Sequence, residues 1–187
     1  MMVFWGIVLG LPLLAFGGAL AFCPAAAKKF TDWFRSSRSV AGVLTAVAWM
    51  WTAYEVDTLG IQAIDRFTKA FPGEPWILAV VLIPLTMVWM PKNLPVRALT
   101  GILMLLPAEL FKTTRLHLPP VGTWFAAIDL FIYVAYIGLL VGMYGMFYPW
   151  RLEKGMDLVH ARPMLARSIG TALAAIGVAL AVIGVSL

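Results

Sequence analysis

A single cysteine, Cys23, and two histidines, His117 and His160, are the only strong nitrogen or sulfur metal ligands in this 187-residue chain. One cysteine excludes an intramolecular disulfide, a Cys-x-x-Cys redox pair and a cysteine-built metal site. Charge is also scarce, with Asp, Glu, Lys and Arg making up 12% of residues, about half the share of an ordinary soluble domain. No His-x-x-x-His, Gly-x-Ser-x-Gly, phosphate-binding loop or dinucleotide fingerprint occurs. The ten methionines do not converge with histidine or cysteine, which argues against a copper path. His117 and His160 fall in connectors read below as lying on opposite sides of a membrane, so they cannot share a metal or a haem. The sequence therefore points to no catalytic residue, no metal and no cofactor.

Apolar residues are abundant, at 62% of the chain. Six runs stand out: Met2–Phe22, Ser39–Tyr54, Pro75–Met90, Val96–Leu110, Thr123–Tyr148 and Ala166–Leu187. About 20 helical residues cross ~30 Å of hydrocarbon. Backbone groups in lipid must be satisfied within the segment, which favours helices. Barrel strands would alternate apolar with polar residues, and these runs do not. The expected fold is all-α, a polytopic helical membrane bundle of about six transmembrane helices, with residues 1–187 forming a single integral-membrane domain.

The third and fourth runs are irregular. Pro84 interrupts one and Pro107 the other, and only Ala98 to Ala108 is uncharged between Arg97 and Glu109. They read either as two short, proline-kinked crossings or as a re-entrant hairpin, and Lys92 and Arg97 at its tip favour crossings. Arg97 and Glu109, twelve residues apart, are too distant to pair and are expected to snorkel to opposite interfaces.

The net charge of +5 has a topological origin. With the N-terminus outside and six alternating crossings, the inner connectors hold Lys28, Lys29, Arg35, Arg38, Lys92, Arg97, Arg151, Lys154, Arg162 and Arg167. Only Arg66, Lys69, Lys112 and Arg115 fall outside. Basic residues concentrate on the cytoplasmic side of membrane proteins, so no nucleic-acid partner is expected. The placement is the inner membrane of a bacterium, with both termini on the outer side. The first run has no preceding positive charge and is followed by several. It reads as an anchor rather than a cleaved signal, and Phe22 spoils the lipoprotein-like "LAFC".

Two connectors read as amphipathic helices lying in the membrane interface. The inner one carries Phe30, Trp33 and Phe34, and the outer one Ile61, Ile64, Phe67 and Phe71. Trp5, Trp76, Trp89, Trp124, Tyr148 and Trp150 stand near span ends, as an aromatic belt would place them.

Glycine is a poor helix former in water, yet it recurs regularly in the spans. Gly170, Ala174, Gly177, Ala181 and Gly184 line one face of the last run. Ala135, Gly138, Gly142 and Gly145 do the same in the fifth, and Gly6, Gly10 and Gly17 in the first. Small residues at such spacing let helix backbones approach closely, and a heptad period suits near-parallel axes. The expectation is an internal seam closing spans one, five and six. The alternative is a groove turned outward to a sister copy or another subunit.

Acidic groups in spans are functional candidates. Glu55 and Asp57 end the second run, Glu109 ends the fourth, and Asp129 lies about two turns into the fifth, on one face with Tyr133 and Tyr136. These six residues form the candidate polar site on the outer side, with pairing of Asp129 to Arg115 or Lys112 as the structural alternative. The expected function is a non-enzymatic subunit or scaffold of a larger membrane assembly, with lipid bilayer and other membrane subunits or further copies of the chain as partners. The alternative is a channel or transporter for ions or small solutes using the acidic site and the broken helices. A lipid-modifying membrane enzyme is the third reading.

Overall fold

Three prolines punctuate the chain at Cys23-Pro24, Tyr148-Pro149 and Arg162-Pro163. The residue before a proline is pushed out of the α region, while proline suits the first position of a new helix, where its missing N–H has no partner to lose. Each junction accordingly ends one helix and starts the next. A computed structural model describes residues 2–58, 74–90, 92–114 and 128–186. In chain order the helices are α1 (Met2–Phe22), α2 (Pro24–Ser36), α3 (Arg38–Thr58), α4 (Glu74–Trp89), α5 (Leu94–Thr114), α6 (Asp129–Phe147), α7 (Pro149–Ala161) and α8 (Pro163–Ser186). Among the described residues there is no strand.

The breaks keep their backbone groups satisfied. Cys23 N–H donates to Ala19 O at 2.8 Å, and Cys23 O accepts from Ala27 N–H at 3.1 Å. Arg162 O likewise accepts from Ala166 N–H at 2.9 Å. Ser37 caps α3, its Oγ accepting from Val40 N–H at 3.3 Å. Between α4 and α5 the chain turns at Asn93, whose φ is 58°, a left-handed conformation that asparagine tolerates.

The all-helical expectation is borne out, and four helices are long and apolar enough to cross a membrane: α1, α5, α6 and α8. α5 runs past the expected Val96–Leu110 at both ends, because helical propensity and capping extend a helix beyond its uncharged part. α3 has the length but carries Arg38, Glu55 and Asp57, and α4 has only 16 residues. The connector helix expected to carry Phe30, Trp33 and Phe34 forms as α2. The outer one, with Ile61, Ile64, Phe67 and Phe71, lies outside the described residues, as do His117, Arg115 and Trp124.

The described residues form two compact units. The first takes in 1–33, 109–137 and 150–187. Its main contact is α1 against α8, and the pair is antiparallel: Gly6 meets Gly184, Gly10 meets Gly177 and Ala181, and Gly17 meets Ala174 and Gly170. At one end, Leu20, Ala27 and Ala166 form a small core joined by Phe16, Val159 and Ile169. Phe131, Leu110, Ile128 and Ala135 are also fully buried. The second unit takes in 34–108 and 138–149. There α3 packs along α4, with Trp49 Nε1–H donating to Thr86 Oγ1 at 3.3 Å.

Along the α1–α8 seam the distribution of size departs from that of a soluble core. α8 buries Ala166, Gly170, Gly177, Leu180 and Gly184 and exposes Val178, Val182 and Val185. α1 buries Gly6, Gly10, Gly17 and Ala21 along the seam and Met2, Trp5 and Leu20 towards its ends, and leaves Val3, Phe4, Ile7, Val8 and Leu11 outward. In water the larger apolar side chains would occupy the interior.

Candidate functional site

The seam of α1 and α8 is built at backbone distance. A methyl group placed on Gly177 would sit 2.6 Å from Gly10 O and from Leu14 N. On Gly170 it would meet Ala21 N at 2.6 Å and Gly17 O at 2.7 Å, and on Gly6 it would meet Leu180 O at 2.8 Å. Real Cβ atoms do not approach backbone so closely, so only glycine fits at these three points. The glycines of α6 have a different neighbour from the one expected. A methyl on Gly142 would meet Met104 Cγ at 2.7 Å and Thr100 O at 2.8 Å, and one on Gly138 would meet Leu103. They lie against α5, where the sequence analysis grouped them with spans one and six. A glycine period marks which face is flat but not which helix covers it. Gly145 is buried on the same helix.

The six acidic and tyrosine candidates divide between the two units. In the second, Glu55 is only 2% exposed and accepts a hydrogen bond from Trp51 Nε1–H at 3.2 Å. Asp57, two residues on, is exposed. In the first, Glu109 pairs with Lys112 at 3.1 Å on the surface of α5, a contact worth a few tenths of a kcal/mol, roughly. Tyr136 stacks against Phe111, ring centroids 5.3 Å apart. Tyr133 and Tyr136 are both about half exposed. Asp129 is the first residue of α6, and the start of the expected span, from Thr123, lies outside the described residues. A carboxylate there faces the positive end of the helix dipole, a local reason for its position.

Sequence reasoning missed a cleft of about 300 Å³ in the second unit. α3 contributes Thr45, Trp49 and Thr52, and α4 contributes Thr86. α5 runs along it from Leu94 to Leu105, and Met146 of α6 closes one side. The hydroxyls turn back on their own helices: Thr45 Oγ1–H donates to Ala41 O at 2.7 Å, Thr52 Oγ1–H to Ala48 O at 2.8 Å, and Thr86 Oγ1–H to Leu82 O at 2.8 Å. The walls are thus apolar in effect. Arg97 breaks the pattern. It is half-buried and donates through Nη1 to Met146 O at 3.3 Å, while its Nε is buried with no hydrogen-bond partner. The sequence signal was present in Arg97 itself, a guanidinium placed one turn inside an apolar helix.

A second polar contact joins α2 and α7. Thr31, 2% exposed, donates to Ala27 O at 2.9 Å, and its Oγ1 lies 3.3 Å from His160 Nε2. Thr31 has one hydroxyl proton, already used, so the network assigns the proton of the His160 contact to Nε2. α2 and α7 therefore meet at this pair. Among the described residues no group of three His, Cys, Asp or Glu side chains is placed to hold a metal ion.

No family model, curated protein or solved structure matches the chain.

Proposed function

We propose that this chain is a multi-pass integral membrane protein, a single domain of about six crossings, acting as a non-enzymatic subunit or scaffold of a larger assembly in a bacterial inner membrane. The observation that carries this reading is the distribution of side-chain size. Small residues close the α1–α8 contact, while rows of large apolar side chains face outward along α1, α4, α6 and α8. Apolar surface on that scale is covered in a functioning protein, by lipid tails and by partner helices. The short α4, with Ile77, Leu78, Val80, Val81, Val88 and Trp89 all exposed, suits a place against another subunit, because its 16 residues fall short of the ~20 needed to cross alone.

The antiparallel α1–α8 pair brings the two termini to one end of that pair, which accords with an even number of crossings. The meeting of α2 and α7 accords with the basic connectors 23–38 and 149–167 lying on the same side, assigned here to the cytoplasm by their charge. Glu55 is the observation that favours the second reading, a channel or transporter, since a buried acid in a span is a candidate for an ion path.

Cross-linking in native membranes, then purification in mild detergent, tests the proposal. A complex of fixed stoichiometry is expected, together with no solute or ion flux in proteoliposomes from wild type, Asp129→Asn or Glu55→Gln. Flux by wild type that either substitution abolishes would move the assignment to the transporter.

A further inference from the structure

Arg97 is the one lining residue of the α3–α5 cleft whose polar atoms are not matched within the protein. A guanidinium carries five N–H donors in a planar fork. Here one donates to Met146 O, and Nε is buried without an acceptor. Among the described residues no carboxylate pairs with Arg97. A half-buried guanidinium whose Nε has neither water nor an acceptor is costly without an anion, and more so at the edge of a hydrocarbon layer. The site calls for an anion from outside the chain.

The rest of the cleft sets the other half of the ligand. Thr45, Thr52 and Thr86 spend their hydroxyl protons on their own helices, and Trp49 spends its N–H on Thr86. What remains is apolar wall, with Met104 and Met146 supplying adaptable side chains. The ligand is therefore an amphiphile with an anionic head and an apolar chain.

Length narrows the class. The cleft follows α5 from Leu94 to Leu105, about 16 Å at 1.5 Å per residue. That is close to half of the ~30 Å hydrocarbon thickness, the depth of one leaflet. Arg97 stands near the N-terminal end of this stretch, where the helix dipole is positive and Lys92 is exposed in the preceding turn. All positive charge lies at one end, and the chain slot extends away from it.

We propose that this cleft holds one acyl chain of an anionic phospholipid from the surrounding leaflet, with the headgroup phosphate on the guanidinium of Arg97. The fork geometry of arginine matches phosphate oxygens two at a time. The assignment rests on the membrane reading above. It goes beyond that reading in naming a lipid, a slot and the residue that selects the head.

The test uses the full chain in nanodiscs of equal phosphatidylglycerol and phosphatidylcholine, with retained lipid counted by native mass spectrometry after mild release. Wild type is expected to keep phosphatidylglycerol in preference to phosphatidylcholine. Arg97→Gln lowers that retention about tenfold, the scale of a lost charge-assisted hydrogen bond, and Arg97→Lys keeps part of it. Gly101→Leu fills the slot and lowers retention of both lipids. A methyl at Gly101 meets nothing nearer than Ala48 Cβ at 4.0 Å, so the helix contact itself survives, and Arg97→Gln gives a second readout should the larger side chain disturb folding. Equal retention of the two lipids by wild type, undiminished retention in Arg97→Gln, or displacement of phosphatidylglycerol by added oleate would overturn the proposal. Carbonate extraction of the native membranes separates the two levels. A chain released into the aqueous phase removes the membrane reading and the lipid site together. A chain that stays in the membrane, with lipid retention indifferent to Arg97, removes the site alone.

Discussion

At Gly177 a single methyl group would meet two backbone atoms at 2.6 Å, and neither Gly10 O nor Leu14 N can move without displacing α1. Gly177→Leu is expected to cost at least ~1–3 kcal/mol from overpacking, and to lower the temperature at which the detergent-solubilised protein loses its single size-exclusion peak. Ala175, two residues earlier and exposed, accepts leucine with little change. Similar shifts for both substitutions would mean that α1 and α8 do not approach this closely. At this scale the sequence was partly readable. The spacing of Gly170, Gly177 and Gly184 identifies a face, because seven residues return nearly to the same side of a helix. The partner of a face depends on three-dimensional neighbours, so Gly138 and Gly142 could not be assigned to α5 in advance. The Arg97 cleft escaped for the same reason: its walls come from four helices, and none has a local signature.

Among elements, α2 shows how amphipathicity can be read correctly and still mislead about packing. The spacing of Phe30, Trp33 and Phe34 predicted the helix. Yet Phe30 and Trp33 remain 51% and 54% exposed, while Ala27 and Thr31 are buried. Ala27 packs with Leu20 and Ala166, and Thr31 reaches His160 of α7, so the small side chains and not the aromatic ones make the contacts that bury the helix. The Thr31–His160 contact can be tested without touching either aromatic residue. Thr31→Val keeps the shape but removes the oxygen that accepts from His160 Nε2–H, leaving a donor with no partner. A loss of ~1–3 kcal/mol is expected, seen as a lower unfolding midpoint, while Thr31→Ser stays near wild type. Equal midpoints for valine and serine would show that the hydroxyl carries no stabilising contact. The extent of α5 illustrates the opposite error. Its charged ends, Arg97 and Glu109, suggested a span too short to cross, but charge does not stop a helix, and the backbone ladder runs through both.

For the whole molecule, the sequence supplied its class through composition, and the positions of four long apolar helices through run length. Orientation is a matter of charge bias, and the proposed arrangement has a direct check. In a Cys23→Ser background, single cysteines replacing Lys154 and Lys92 should be protected from a membrane-impermeant thiol reagent in intact cells. A cysteine replacing Asp57, exposed at the end of α3, should react. The opposite pattern inverts the orientation. Protection differing between 92 and 154 would instead break the crossing count, since both connectors are placed on one side. Run length could not decide that count, because α3 is long but charged and α4 is apolar but short.

The partnership of α1 with α8 joins two helices that lie far apart in the chain. At roughly 5–20 residues per second, about 10–35 s separate the synthesis of Gly6 from that of Gly184, its neighbour in the seam. Throughout that interval the flat face of α1 has no permanent cover. Early insertion is then a holding state, and the lock forms only once α8 has been made. Chains stalled before Pro163 should keep α1 open to exchange and to proteolysis, whatever the remaining helices have already done.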